Sequence, residues 1–107
     1  MSGLDHGPIA AAPLEPAEAE ALARLLHALA DRTRVAIVSA IVHAPDGEMN
    51  ARDILAMVDV SQPTVSHHLR KLLEAGLLRR EQRGPYSFFR LAPEAFARLR
   101  AIFSEAP

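Results

Sequence analysis

The stretch Val60–Leu78 reads VSQPTVSHHLRKLLEAGLL. Ser61 is a good N-cap residue, Pro63 suits a first helical turn, and Gly76 suits the position just past a helix end. A helix is expected from about Ser61 to about Ala75. Val65, Leu69, Leu72 and Leu73 recur at helical spacing and form its inward stripe. The opposite face carries Gln62, Thr64, Ser66, His67, His68, Arg70 and Lys71. A helix with an apolar back and a donor-rich front has a polar partner to read.

Upstream, Asn50 with Asp53 three residues on resembles a capping box for a short helix, Ala51 to about Val58. Ile54, Leu55 and Val58 give it a core face, and Asp59-Val60-Ser61 is a tight connection. A short helix joined this way to a polar-faced helix is a helix-turn-helix. The second helix, about 14 residues and roughly 21 Å long, is of a size to lie in a DNA major groove. Gln62, Thr64, Ser66, His67 and His68 can donate or accept at base edges, and Arg70 and Lys71 can reach bases or phosphates.

Downstream, Leu77–Gln82 reads as a strand, Arg83-Gly84-Pro85 as a turn, and Tyr86–Leu91 as the return strand. This hairpin carries Arg79, Arg80, Arg83 and Arg90, with Arg83-Gly84-Pro85-Tyr86 at its tip. A basic hairpin directly after such a helix is a wing that would touch the DNA backbone or minor groove. Solvated strand-edge charges are the structural alternative for Arg79 and Arg80. Phe88 and Phe89 alternate across the strand, so one belongs to the core and one covers the wing. Met49 and Met57 read as packing residues.

Residues 1–15 hold Gly and Pro without an amphipathic period and read as a flexible tail. Residues 16–107 read as one domain for DNA binding and dimerisation. Its first helix, Ala17–Ala30, has Leu22, Leu25, Leu26 and Leu29 on one side. Asp31 is a plausible N-cap for a second helix, Arg32 to about His43, whose expected buried stripe is Val35, Val38, Ile41 and Val42. Ala44-Pro45-Asp46-Gly47 is a stop and turn. Pro93 opens a last helix to about Ser104, with Phe96, Leu99, Ile102 and Phe103 on one side. The expected fold is mostly α with a small β-hairpin wing, a dimeric winged helix-turn-helix of order α-α-α-α-β-β-α.

The chain has 107 residues, half of them hydrophobic, which suits one small domain. A domain of this size buries a modest share of its surface, so dimerisation would help it. The net charge of −1 is a cancellation. Residues 1–59 carry four Arg against nine carboxylates, and residues 60–107 carry eight Arg or Lys against four. The basic half fits a polyanion. With no cysteine, disulfides, thiolate metal sites and cysteine nucleophiles are excluded. No apolar run approaches a membrane span and no secretory signal is read, so the expectation is a cytoplasmic protein without a membrane partner. No Gly-rich phosphate loop or nucleophile–base spacing points to an enzyme.

Taken together, V-S-Q-P-T-V-S-H-H-L-R-K-L at Val60–Leu72 and E-A-G-L-L at Glu74–Leu78 resemble the ArsR/SmtB family of bacterial winged-helix repressors. A-L-A-D-R-T-R at Ala28–Arg34 is similar to the family's usual entry into its second helix, and R-G-P-Y-S-F-F-R-L at Arg83–Leu91 to its wing. The resemblance covers about residues 20–103. It implies a homodimer on a palindromic double-stranded DNA operator, joined through the first and last helices. Leu22, Leu25, Leu26, Leu29, Phe96, Leu99 and Phe103 would then line the interface. It also implies repression relieved by an effector.

The family's thiolate sensor is a C-x-C pattern at the start of the short helix, where this chain reads Asn50-Ala51-Arg52. Its other common site uses Asp and His on the last helix, which here has neither. Asp5 and His6, His27 and His43 remain as weak candidate ligands for nickel or zinc, which accept imidazole and carboxylate. Each has a structural alternative: a tail, a helix face and a solvated turn. The absent sensor sites also leave room for a winged-helix interaction module that needs a co-regulator protein.

Overall fold

The computed structural model describes residues 13–102 of the chain. Five helices and three short strands follow in order: α1 (Pro16–Leu29), α2 (Arg32–His43), β1 (Glu48–Asn50), α3 (Ala51–Met57), α4 (Gln62–Glu74), β2 (Leu78–Arg83), β3 (Tyr86–Leu91) and α5 (Pro93–Ile102). A single 3₁₀ turn, Pro45–Gly47, links α2 to β1. Residues 1–12, most of the stretch read as a tail, lie outside the described residues.

Local sequence explains most boundaries. Glu15 and Glu18 close a reciprocal capping box on α1, with Pro16 in its first turn. Glu15 and Leu14, read with the tail, are therefore part of the fold, and Leu14 packs against the core. The Asp31 carboxylate accepts the Thr33 and Arg34 N–H groups at 2.9 and 3.1 Å and starts α2. Asn50 accepts the Asp53 N–H at 2.8 Å and starts α3.

Helix α4 ends in a Schellman motif. The Leu77 N–H reaches the Leu72 carbonyl and the Gly76 N–H reaches the Leu73 carbonyl, both at 3.0 Å. Gly76 takes φ 79°, which costs glycine nothing and an L side chain about 1–2 kcal/mol. That reversal sends the chain straight into β2.

The sheet has the order β1-β3-β2, antiparallel throughout. The β2–β3 hairpin runs from Leu78 opposite Leu91 to Arg83 opposite Tyr86. Gly84 at φ 59°, followed by the fixed negative φ of Pro85, matches the φ signs of a two-residue II′ turn. Strand β1 is an addition to the expected hairpin, with Met49 opposite Phe89. Three residues are too few for an alternating pattern, and the partner lies forty positions away.

The core joins all layers. Ile37, Ile41, Ile54, Leu72 and Leu77 are fully buried, with Phe89, Ala92 and Ala95 closing the sheet side. Phe89 is the core member of the phenylalanine pair, as alternation requires. The phase of α2 differs from the expected stripe. Ile37 and Ile41 face inward, while Val35 and Val42 remain 49% and 46% exposed. The run VAIVSAIV is apolar at most positions, so several faces satisfy a helical period. Contacts with α1, α4 and β3 choose among them.

Candidate nucleic-acid interface

Helix α3, the connection through Val58–Ser61 and α4 form the helix-turn-helix, and the β2–β3 hairpin stands beside it as the wing. Val65, Leu69 and Leu72 hold the inner face of α4 in the core. Successive residues turn by about 100°, so Gln62, Ser66, His67, Arg70 and Lys71 fall together on the exposed side. Ser61 caps the helix weakly, accepting the Thr64 N–H at 3.4 Å, and its hydroxyl lies 3.0 Å from the Thr64 hydroxyl. Thr64 is thus half-buried and tied to the cap.

His68 does not share that face. Its side chain is buried, at 8% exposure for the residue. Arg34 Nη1 donates to His68 Nδ1 at 3.2 Å, so the neutral ring carries its proton on Nε2. Arg34 Nε also donates to the Ala28 carbonyl at 2.6 Å, at the end of α1. Asp31 Oδ1 stands 4.0 Å from the same histidine nitrogen. The Arg34 N–H holds the Asp31 carboxyl below its usual range, and the Thr33 N–H and the Arg34 charge add to this. His68 therefore belongs to a polar tie between α4 and the α1–α2 junction rather than to the outer surface. Its position one step from His67 swings it about 100° inward. Arg34 and Asp31 were visible in the sequence only as a helix start, since their partner lies on a distant helix.

The wing is electrostatically different. Arg83 donates to Glu48 on β1 and to Glu81 on its own strand. Its guanidinium also lies 4.4 Å from the centre of the Phe88 ring. Glu48, whose side chain is 14% exposed, also lies 3.6 Å from Arg90. Hydrogen bonding from Arg83 lowers both Glu48 and Glu81, and the two carboxylates in turn raise Arg83 further. Arg79 pairs with Glu94 at the start of α5. Glu94 is lowered first by its own backbone N–H and then by Arg79. At the tip, the Gln82 amide donates to the Gly84 carbonyl at 3.0 Å and Ser87 donates to Gln82 at 2.6 Å. Tyr86 is 45% exposed there. Among the described residues, Arg70, Lys71 and Arg80 have no carboxylate within ion-pair distance.

The residues expected at a dimer interface divide as well. Leu22 and Leu25 are buried within the protomer, and Leu29 and Leu99 are partly buried against its core. These four already have partners, because α1 and α5 pack on each other in one chain. Leu26 and Phe96 stay 42% and 46% exposed. Phe103 lies outside the described residues.

Among the described residues, no group of three or more His, Asp or Glu is placed to hold a metal ion. His43 Nδ1 is 2.9 Å from the Ser39 carbonyl, a satisfied helix-end contact. Asp5 and His6 lie outside the described residues. The family's thiolate position does not fit a metal here, because Asn50 is spent on the α3 cap and Ala51 has no donor.

Residues 31–80 match the model of the family described as bacterial regulatory protein, arsR family. The chain is 37% identical over 83 residues to the arsenical resistance operon repressor of Escherichia coli (strain K12), covering 78% of this chain and 69% of that protein. It is 33% identical over 96 residues to the biofilm growth-associated repressor of Agrobacterium fabrum, covering 90% and 79%. A solution structure of the homodimeric winged helix-turn-helix DNA-binding domain Mb0332 from Mycobacterium bovis superposes with a TM-score of 0.68 at 27% identity. The match covers 86% of this chain and 85% of that one.

Proposed function

Because this chain belongs to the arsR family of bacterial regulatory proteins, we propose that it is a transcriptional repressor that binds a palindromic operator as a homodimer. The observation that carries this reading is the exposed face of α4. Gln62, Ser66, His67, Arg70 and Lys71 stand together on a helix whose back is fixed in the core, and no carboxylate among the described residues lies within ion-pair distance of its two cations. Arg70 and His67 read base edges, and Lys71 and Arg80 meet phosphates. Arg79, Arg83 and Arg90 mainly brace the wing, and Tyr86 sits at its tip. Two copies related by a two-fold axis would set their α4 helices about 34 Å apart, one turn of DNA. The exposed Leu26 and Phe96 on the terminal helices lie where the partner would cover apolar surface. The domain proposed for these tasks runs from Leu14, which packs on the core, through residue 107.

The test is fluorescence anisotropy of purified protein with the DNA upstream of its own coding sequence, beside sedimentation to count subunits. Tight binding as a dimer, weakened steeply by salt, is the expected result. A monomer with no preference for that DNA over random sequence would overturn the reading. Binding restored only by a second protein would favour the co-regulator alternative. The candidate ligands for a response to nickel or zinc are Asp5, His6, His27 and His43. Calorimetry with each ion, on the full chain and on one lacking residues 1–15, decides it.

A further inference from the structure

A cleft of about 540 Å³ runs between α1 and the C-terminal half of α4. It is within the range of small-molecule sites, ~300–1,000 Å³. Its apolar lining comes from Ala23, Ala28 and Ala75, whose short side chains leave the space open. Arg24, Arg34 and Lys71 bring three permanent cations to it, against Glu20 and Glu74. Glu20 lies 3.6 Å from Arg24 and offsets it. Lys71 has no ion-pair partner among the described residues. The local balance is positive over an apolar floor, which suits an organic anion with a short hydrocarbon body.

The cleft also touches the machinery that sets α4. Arg34, one of its lining residues, holds the α1 carbonyl of Ala28 and the buried His68 of α4 at the same time. An anion attracting that guanidinium competes with the histidine for it, and so changes how α4 is held against the α1–α2 junction. We propose that this cleft is the effector site, that its ligand is a small amphiphilic carboxylate, and that occupancy changes DNA affinity through the Arg34–His68 contact. The regulatory part rests on the repressor reading above; the binding part does not.

The probes are octanoate and, as a charge-reversed control of equal length, octylammonium. Amide chemical shifts of the DNA-free protein report binding, and anisotropy with the upstream DNA reports coupling. Octanoate should shift Ala23, Ala28, Lys71 and Ala75 saturably in the low-millimolar range or below, and octylammonium should not. Ala23→Leu fills the cleft from an exposed helical position, so it leaves the core intact. It should weaken octanoate binding at least tenfold. Lys71→Gln should weaken it about fivefold. Saturating octanoate should change DNA affinity at least fivefold in the natural protein and leave A23L unmoved. Absence of saturable binding, equal binding of the two probes, unchanged binding to A23L, or binding without any change in DNA affinity overturns the proposal. A protein that binds octanoate as stated but never binds its upstream DNA instead overturns the repressor reading, because the spectra report the anion site on their own.

Discussion

Helix α4 and the wing both present cationic side chains, yet most of these charges are held in opposite ways. On α4, Arg70 and Lys71 project from a helix whose other face is core, and no carboxylate among the described residues pairs with them. On the wing, Arg79, Arg83 and Arg90 lie against Glu94, Glu48 and Glu81. Cations already paired release fewer counterions when a phosphate approaches, so they add less to affinity for DNA than their number suggests. Rigidity follows the same division. Packing fixes α4, whereas the wing beyond the buried Leu78 and Phe89 is held by its strand ladder and by polar pairs near the surface, and such pairs contribute little stability in water.

That contrast is open to four tests. The largest effect should come from the back of α4. Leu72 is fully buried, so Leu72→Ala should lower unfolding free energy by about 2–5 kcal/mol in urea titration. Arg83→Ala should leave the unfolding midpoint nearly unmoved. Equal losses would show that the wing is as much a part of the core as α4.

Next comes recognition. Arg70→Ala should cost about 1–3 kcal/mol of affinity for the operator and much less on random DNA. Equal losses on both sequences would reduce Arg70 to a phosphate contact.

The third test frees a wing charge. Glu48→Gln removes a partner of both Arg83 and Arg90. Affinity for random DNA should rise, and the slope of log K against log salt should steepen by up to about 0.9 for one released cation. An unchanged slope would mean that the wing does not lie near phosphate.

The smallest effect is in acid. Glu48 and Glu81 are lowered by hydrogen bonding from Arg83. A carboxyl lowered in the folded state contributes its full stability above its ordinary unfolded value. It loses that contribution as pH falls through the lowered native value. The protection factors of the wing amides, which correct for the pH dependence of intrinsic exchange, should therefore stay constant from neutral pH down to the ordinary glutamate range and fall below it. In the Glu48→Gln variant this acid step should shrink.

Much of this arrangement was legible in the sequence because its signals are local. Caps at Asp31, Asn50 and Ser61, the stop at Gly76 and the turn at Gly84-Pro85 each act within a few residues, and all lie where expected. The outer face of α4 was legible for the same reason, since helical spacing alone sorts Leu69 and Leu72 from Ser66 and Arg70. His68 sat at the margin of that face. Spacing cannot decide a boundary residue, and the deciding partner, Arg34, lies on another helix. The phase of α2 escaped because nearly every residue in it is apolar. Strand β1 escaped because a three-residue strand is defined by its partner alone.

The sequence by itself determined the order of the five helices, the helix-turn-helix, the basic hairpin and the separation of an acidic half from a basic one. These depend on propensity, capping and period, which are properties of neighbouring residues. Only the tertiary structure decided which cations are neutralised and which leucines are already spent on the core. It also decided that His68 ties α4 to Arg34, and that three alanines open a cleft beside them. Ion pairing and burial depend on distances of a few ångströms between residues tens of positions apart, and those distances exist only once the layers have packed.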